Sequence, residues 1–160
     1  MIQMDNIEFK YARQARLFTQ LSWQLRQGGI YGLLGKNGAG KTTLLRLITG
    51  LLFPKKGTCQ VMDFNPSKRD PDYLQEIFLI PEEFELPKVK ISQYEQLYSP
   101  FYSKFDQDDY YQLIKEFELD SQAKIHSLSF GQRKKILIAF GVATNTRLLI
   151  MDEPTNGLDI

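Results

Sequence analysis

The chain has 160 residues and sets 20 Lys plus Arg against 19 Asp plus Glu, a formal net charge of +1. That balance predicts no strong bulk attraction to nucleic acid or anionic lipid. A composition of 42% hydrophobic, 12% aromatic and 24% charged residues excludes intrinsic disorder, collagen and a disulfide scaffold.

The single Cys59 allows no internal bridge, and no Cys/His cluster offers a metal set, so a reducing, cytosolic compartment fits and Cys59 reads as a small buried hydrophobe. The longest apolar stretch, residues 136–143, falls well short of the roughly 20 residues of a membrane span. Residues 1–10 lack the basic-then-apolar pattern of a signal peptide.

In chain order, residues 2–10 and 21–25 read as short strands, Gly28-Gly29 as a turn, and residues 30–34 as an apolar strand. A helix follows, carrying Leu44, Leu45, Leu47, Ile48, Leu51 and Leu52 until Pro54 stops it. Strands at 58–64 and 77–80 bracket a short helix. From 81 to 127 the chain turns rich in Tyr, Phe, Gln and acids and reads as a helical insertion. Its best helix starts at an Asp106 cap and presents Tyr110, Leu113, Ile114 and Phe117 on one buried face. A helix over 132–143 and an apolar strand over 148–151, ending in Asp152-Glu153, return the chain to an α/β pattern. Strands alternating with helices favour a parallel sheet covered on both faces.

Gly35-Lys36-Asn37-Gly38-Ala39-Gly40-Lys41-Thr42 has two glycines separated by four residues and followed by Lys and Thr, the pattern of a phosphate-binding loop. Glycines let the backbone curl into a nest whose N–H groups point inward, and the helix that follows adds its positive end. Polyphosphate is the natural guest. Lys41 is placed to neutralise charge between the β- and γ-phosphates, the Thr42 hydroxyl to complete a Mg²⁺ shell, and Thr43 to help the α-phosphate. The competing reading is a glycine-rich turn that binds nothing. The setting between an apolar strand and an apolar helix speaks against it.

Asp152 would reach the same Mg²⁺ from the end of the second apolar strand, with Glu153 toward the γ-phosphate to polarise the attacking water. Alone, an apolar run ending in Asp-Glu is a weak signal, and an acid that merely caps the strand-to-turn junction is the alternative.

Leu128-Ser129-Phe130-Gly131-Gln132 resembles the Leu-Ser-Gly-Gly-Gln signature of ABC-type ATPases and lies 20 residues before Asp152. With the phosphate loop, residues 148–153 and the following Pro154-Thr155-Asn156-Gly157-Leu158-Asp159, the resemblance covers essentially the whole chain. It implies an α/β fold: a RecA-like P-loop NTPase core with a parallel sheet, an N-terminal antiparallel β subdomain and an α-helical insertion, without the family's final strands. The corresponding boundaries are 1–82 for the β subdomain and P-loop core, 83–131 for the helical subdomain with the signature, and 132–160 for the return to the core.

The resemblance further implies that two subunits pack head to tail, as a homo- or heterodimer, with Ser129, Gly131 and Gln132 of one aimed at the γ-phosphate held by the other. Tyr11, 24 residues before Gly35, resembles the aromatic that stacks on adenine, against the competing reading of a core or surface tyrosine. Glu82 stands where the family commonly has a Gln that touches Mg²⁺ and the attacking water. Phe130 replaces the first signature glycine and Lys36 a common Pro. Residues 101–106 and 117–120 look like bacterial ATPases that serve ABC-2-type exporters.

Arg133, Lys134 and Lys135 crowd the start of a helix, where cations are disfavoured by about 0.3–1 kcal/mol each. An anionic partner would offset that, and simple solvation of Lys134 and Lys135 is the alternative. His126 precedes the signature and does not match the family's switch His, so it reads as a structural or loop histidine.

These features imply an ATP-binding and ATP-hydrolysing subunit that uses ATP and Mg²⁺. It would serve an integral membrane permease from the cytoplasmic side of the membrane, with no nucleic acid partner. The alternative is a soluble ABC-type ATPase acting on ribosome or DNA, and a non-hydrolytic regulatory module is a third reading. Because the family's switch His and a further strand follow the Asp159 loop, this chain is expected to bind nucleotide but to hydrolyse it poorly. A sheet cut short there is also expected to expose an apolar edge and favour association.

Overall fold

In the computed structural model, which describes residues 2–157, the chain divides into two units, one running to Tyr73 and the other starting at Leu74. The first is organised by β1 (Ile2–Phe9), which pairs antiparallel with both β2 (Phe18–Leu25) and β3 (Lys56–Val61), giving the order β2-β1-β3. In β1 the buried side chains are Ile2, Met4, Ile7 and Phe9, so the period of two breaks once. The register shifts at that point against both neighbours, and Asn6 takes a positive φ of 51°. A bulge therefore keeps both apolar pairs on one face.

α1 (Lys41–Ile48) buries Thr43, Leu44, Leu47 and Ile48 on a single face. It stops well before Pro54, contrary to the sequence expectation. Gly50 takes a φ of 69°, and the amides of Leu51 and Leu52 both fold back onto the Arg46 carbonyl at 2.9 and 3.0 Å. The Arg69 guanidinium donates to the Gly50 carbonyl at 3.1 Å and the Tyr73 hydroxyl to that of Ile48, so the helix end is held from two sides. Leu51, expected on the helix, is left 51% exposed.

A second correction concerns residues 30–34, which form no strand. Ile30 and Leu34 are 105% and 94% exposed. A strand is a ladder, and an apolar run becomes one only where a neighbour supplies the other half of its hydrogen bonds. Among the described residues this run has no strand partner. The strand expected at 58–64 is β3, and the short helix after it is a 3₁₀ turn at Pro66–Lys68 followed by α2 (Pro71–Leu74).

In the second unit β4 (Ile77–Ile80) and β5 (Leu148–Met151) pair in parallel with Ile77 opposite Leu148 and Ile80 opposite Met151. The insertion is helical as expected, with α3 (Ile91–Tyr98) and α4 (Gln107–Glu116). The Asp106 carboxylate caps α4 by accepting from the Asp109 amide at 3.0 Å. α5 (Phe130–Ala143) carries Phe140, 1% exposed, into a ring of aromatics. Phe105, Tyr94 and Phe78 lie 4.9, 5.2 and 5.7 Å from it, centroid to centroid.

Candidate functional site

The phosphate-loop residues belong to the first unit. Residues 35–39 are exposed and turn tightly, with the Ala39 amide on the Lys36 carbonyl at 3.1 Å and positive φ at Gly38 and Gly40 of 79° and 99°. α1 begins directly after Gly40, with no side-chain cap and no acid in its first turn. A helix start of this kind suits an anion, since its positive end meets no negative side chain in the first turn. The Lys41 ammonium reaches back to the Gly35 carbonyl at 3.1 Å, spanning the loop.

Tyr11 is brought to this helix. Its hydroxyl shares a hydrogen bond of 2.9 Å with the hydroxyl of buried Thr43, and its ring meets Phe9 edge-on at 5.0 Å. Tyr11 is half-buried. Thr42 is half-buried beside Thr43 in sequence, at the helix start.

The carboxylates and the signature belong to the second unit. Asp152 is 5% exposed and its amide donates to the Ile80 carbonyl at 2.9 Å, continuing the β4–β5 ladder by one residue. Glu153 is exposed and left-handed, with a φ of 47°. The following turn is closed by the Asn156 amide on the Glu153 carbonyl at 3.2 Å. Glu82 lies against this turn, since its Oε1 accepts from the Asn156 side-chain amide at 3.1 Å. Leu158 and Asp159, which complete the loop motif, lie outside the described residues.

Ser129 is the N-cap of α5. Its hydroxyl accepts from the Gln132 amide at 3.2 Å, and the Gln132 side chain accepts from the Ser129 amide at 3.0 Å, a reciprocal capping box. Gly131 is needed for a close approach, because a Cβ there would sit 2.4 Å from the Gly157 carbonyl oxygen. Phe130, in place of the first signature glycine, stacks on Phe84 with centroids 5.1 Å apart. His126 is exposed in a 3₁₀ turn.

The solvated reading fails for Lys134, which is 0% exposed and donates to the main-chain carbonyls of Glu153 and, at 2.9 Å, Asn156. Burial holds its pKa below the ordinary lysine value, while the charges of Glu82, Glu153 and Asp152 push it back up. A signal for this was present. Lys134 precedes buried Leu137 by three residues and buried Gly141 by seven, so helical spacing puts it on the buried stripe. Lys135 instead lies over the Phe117 ring at 5.7 Å.

No group of three or more His, Cys, Asp or Glu able to hold a metal occurs among the described residues. Mg²⁺ is commonly held by one or two protein oxygens plus phosphate and water, so such a group is not a requirement for it.

Residues 18–156 match the profile of the ABC transporter family, and the chain belongs to that family. It is 32% identical over 145 residues to the ABC transporter ATP-binding protein YtrB of Bacillus subtilis, covering 90% of this chain and 49% of that protein. The SkfA peptide export ATP-binding protein SkfE of the same organism is 32% identical across 100% of this chain and 68% of its own length. The molybdate import ATP-binding protein MolC of Haemophilus influenzae is equally similar, 32% across 99% of this chain and 62% of its own. The chain thus spans from about half to two thirds of these curated relatives. Among solved structures, an ATP-binding subunit of an ABC transporter shares the fold at 24% identity, with a TM-score of 0.87 over 99% of this chain and 68% of its own. A dimeric ATP-binding cassette in a post-hydrolysis state with ADP and Pi does so at 22% identity and a TM-score of 0.81, over 99% of this chain and 76% of that one.

Proposed function

We propose that this chain is the ATP-binding, ATP-hydrolysing part of an ABC transporter and that it takes Mg-ATP on the loop from Gly35 to Thr43. The observation that carries the reading is the uncapped, acid-free start of α1 behind a loop spanned by Lys41. The loop amides and Lys41 bind and orient the phosphates, and Tyr11 offers its ring to adenine. Thr42, Asp152 and Glu82 carry the oxygens that would hold Mg²⁺, which would supply neutralisation of the phosphate charge. Glu153 accepts the proton of the attacking water, and positioning does most of the rest.

Ser129, Gly131 and Gln132 at the head of α5 serve a second subunit's nucleotide in a head-to-tail dimer, and closure of that dimer drives a membrane permease. The support is the capping box that fixes this helix start and the dimeric state of the ADP-bound cassette of the same fold. Relatives named for export and for import stand at equal identity, so the proposal names no cargo and no direction. The chain would work on the cytoplasmic face of the membrane through its permease. Among the described residues no helix is long and apolar enough to cross a membrane.

Calorimetric titration with Mg-ATP tests the reading. Micromolar binding is expected, weakened at least about a hundredfold in Lys41→Ala, as for loss of a charge-assisted phosphate contact. Glu153→Gln is expected to keep binding and lose turnover. Binding unchanged in Lys41→Ala would overturn the assignment.

A further inference from the structure

Lys134 is a fully buried ammonium for which the chemistry above has no use. It is the fifth residue of α5, just past the first turn, and removing its charge from water is costly unless partners compensate it. What it obtains there is specific. It donates to the carbonyls of Glu153 and Asn156, the two ends of the turn that the Asn156 amide closes. Glu153 is a non-glycine residue with a φ of 47°, a strained conformation that persists only when its surroundings impose it.

The same turn is gripped from other sides. Asn156 donates to Glu82, and Gly157 packs against Gly131 and the Phe130 ring. Lys134 is the member of this group that ties the Glu153 main chain itself to the signature helix.

We propose that Lys134 is a positioning residue for Glu153: its ammonium holds the left-handed turn, so the carboxylate is presented in one orientation set by the start of α5. The inference rests on the reading of Glu153 given under Proposed function. A shift of the signature helix would then re-aim the acid of the same subunit, which links the site offered to a partner with the chain's own chemistry.

The test compares the wild-type chain with Lys134→Met, Lys134→Arg and Glu153→Gln by residue-resolved amide hydrogen exchange, Mg-ATP titration and single-turnover hydrolysis. In the wild-type chain the Asn156 amide is expected to be protected about a hundredfold or more over an open loop. Lys134→Met is expected to speed that exchange and slow hydrolysis by about tenfold each, with the Kd for Mg-ATP held within about threefold. Lys134→Arg, which keeps donors and charge, is expected to restore both within about threefold. Unchanged Asn156 exchange in a folded Lys134→Met chain, or an arginine variant as impaired as the methionine one, overturns the proposal. If Lys134→Met does not fold, an Asn156 amide in the wild-type chain exchanging at the open-loop rate overturns it by itself. Wild-type turnover in Glu153→Gln overturns the catalytic reading and the positioning role together. An inactive Glu153→Gln beside a fully active Lys134→Met overturns the positioning role alone.

Discussion

Tyr11 carries two separable chemistries on one side chain. Its hydroxyl bonds Thr43, and its half-buried ring is the surface proposed for adenine. Tyr11→Phe removes only the hydrogen bond and is expected to lower stability by about 1 kcal/mol while leaving the Mg-ATP Kd unchanged. Tyr11→Ala removes the stacking surface as well and is expected to weaken binding about tenfold. Equal Kd values for the two variants would show that the ring does not touch the base. Cys59, 6% exposed on β3, has its thiol pushed up to about 11 by burial. The neutral thiol is therefore favoured in the folded chain, and the unfolded chain gives up its proton first. The stability that Cys59 contributes is full below the unfolded value near 9.0 and falls as pH rises from there to about 11. At pH 8.5 iodoacetamide is expected to alkylate the folded chain at least about tenfold more slowly than the urea-unfolded chain.

At the scale of elements, the ends of helices are fixed by backbone contacts more than by composition. α1 stops at Ile48 because two residues later, at Gly50, the chain must turn left-handed against Pro66, where a Cβ would lie 2.2 Å from a carbonyl oxygen. Gly50→Ala is expected to cost about 2 kcal/mol or more, read as a lowered urea midpoint, since both the φ and the space are wrong for a side chain. The leucines at 51 and 52 made a longer helix plausible because their spacing continues the apolar pattern. Periodicity records which residues favour burial, and it carries no information about the carbonyl waiting across the turn. α4 shows the opposite case. Its cap, Asp106, is local chemistry and was legible as such.

Across the molecule, the second unit depends on one aromatic cluster. Phe140 bridges residues from β4, from α3 and α4 and from the segment between them, and its removal leaves a cavity that rings of this size do not refill. Phe140→Ala is expected to destabilise this unit by about 3–5 kcal/mol, measured by denaturant unfolding. Retention of the wild-type midpoint would show that the cluster is not the unit's core. The first unit is built differently, with the β2-β1-β3 sheet and α1 burying Met4, Ile7, Leu47, Ile48 and Val61.

The glycine-rich turn at 35–40, the runs at 128–132 and 148–153 and the two strands of the parallel pair were readable from the amino-acid order, while their roles in binding and catalysis stand as proposals. Each is a short run whose chemistry needs fixed neighbours along the chain. Glycine spacing sets a tight turn, and alternating or continuous apolar runs set strands. Tertiary structure alone decided that residues 30–34 are exposed coil, that Tyr11 bonds Thr43, that Phe130 stacks on Phe84, and that Lys134 is buried beneath the Glu153 turn. These outcomes depend on groups far apart in sequence, whose approach is governed by packing and by the need to satisfy buried polar atoms. A local pattern specifies what a segment offers, and only the folded chain supplies what accepts it.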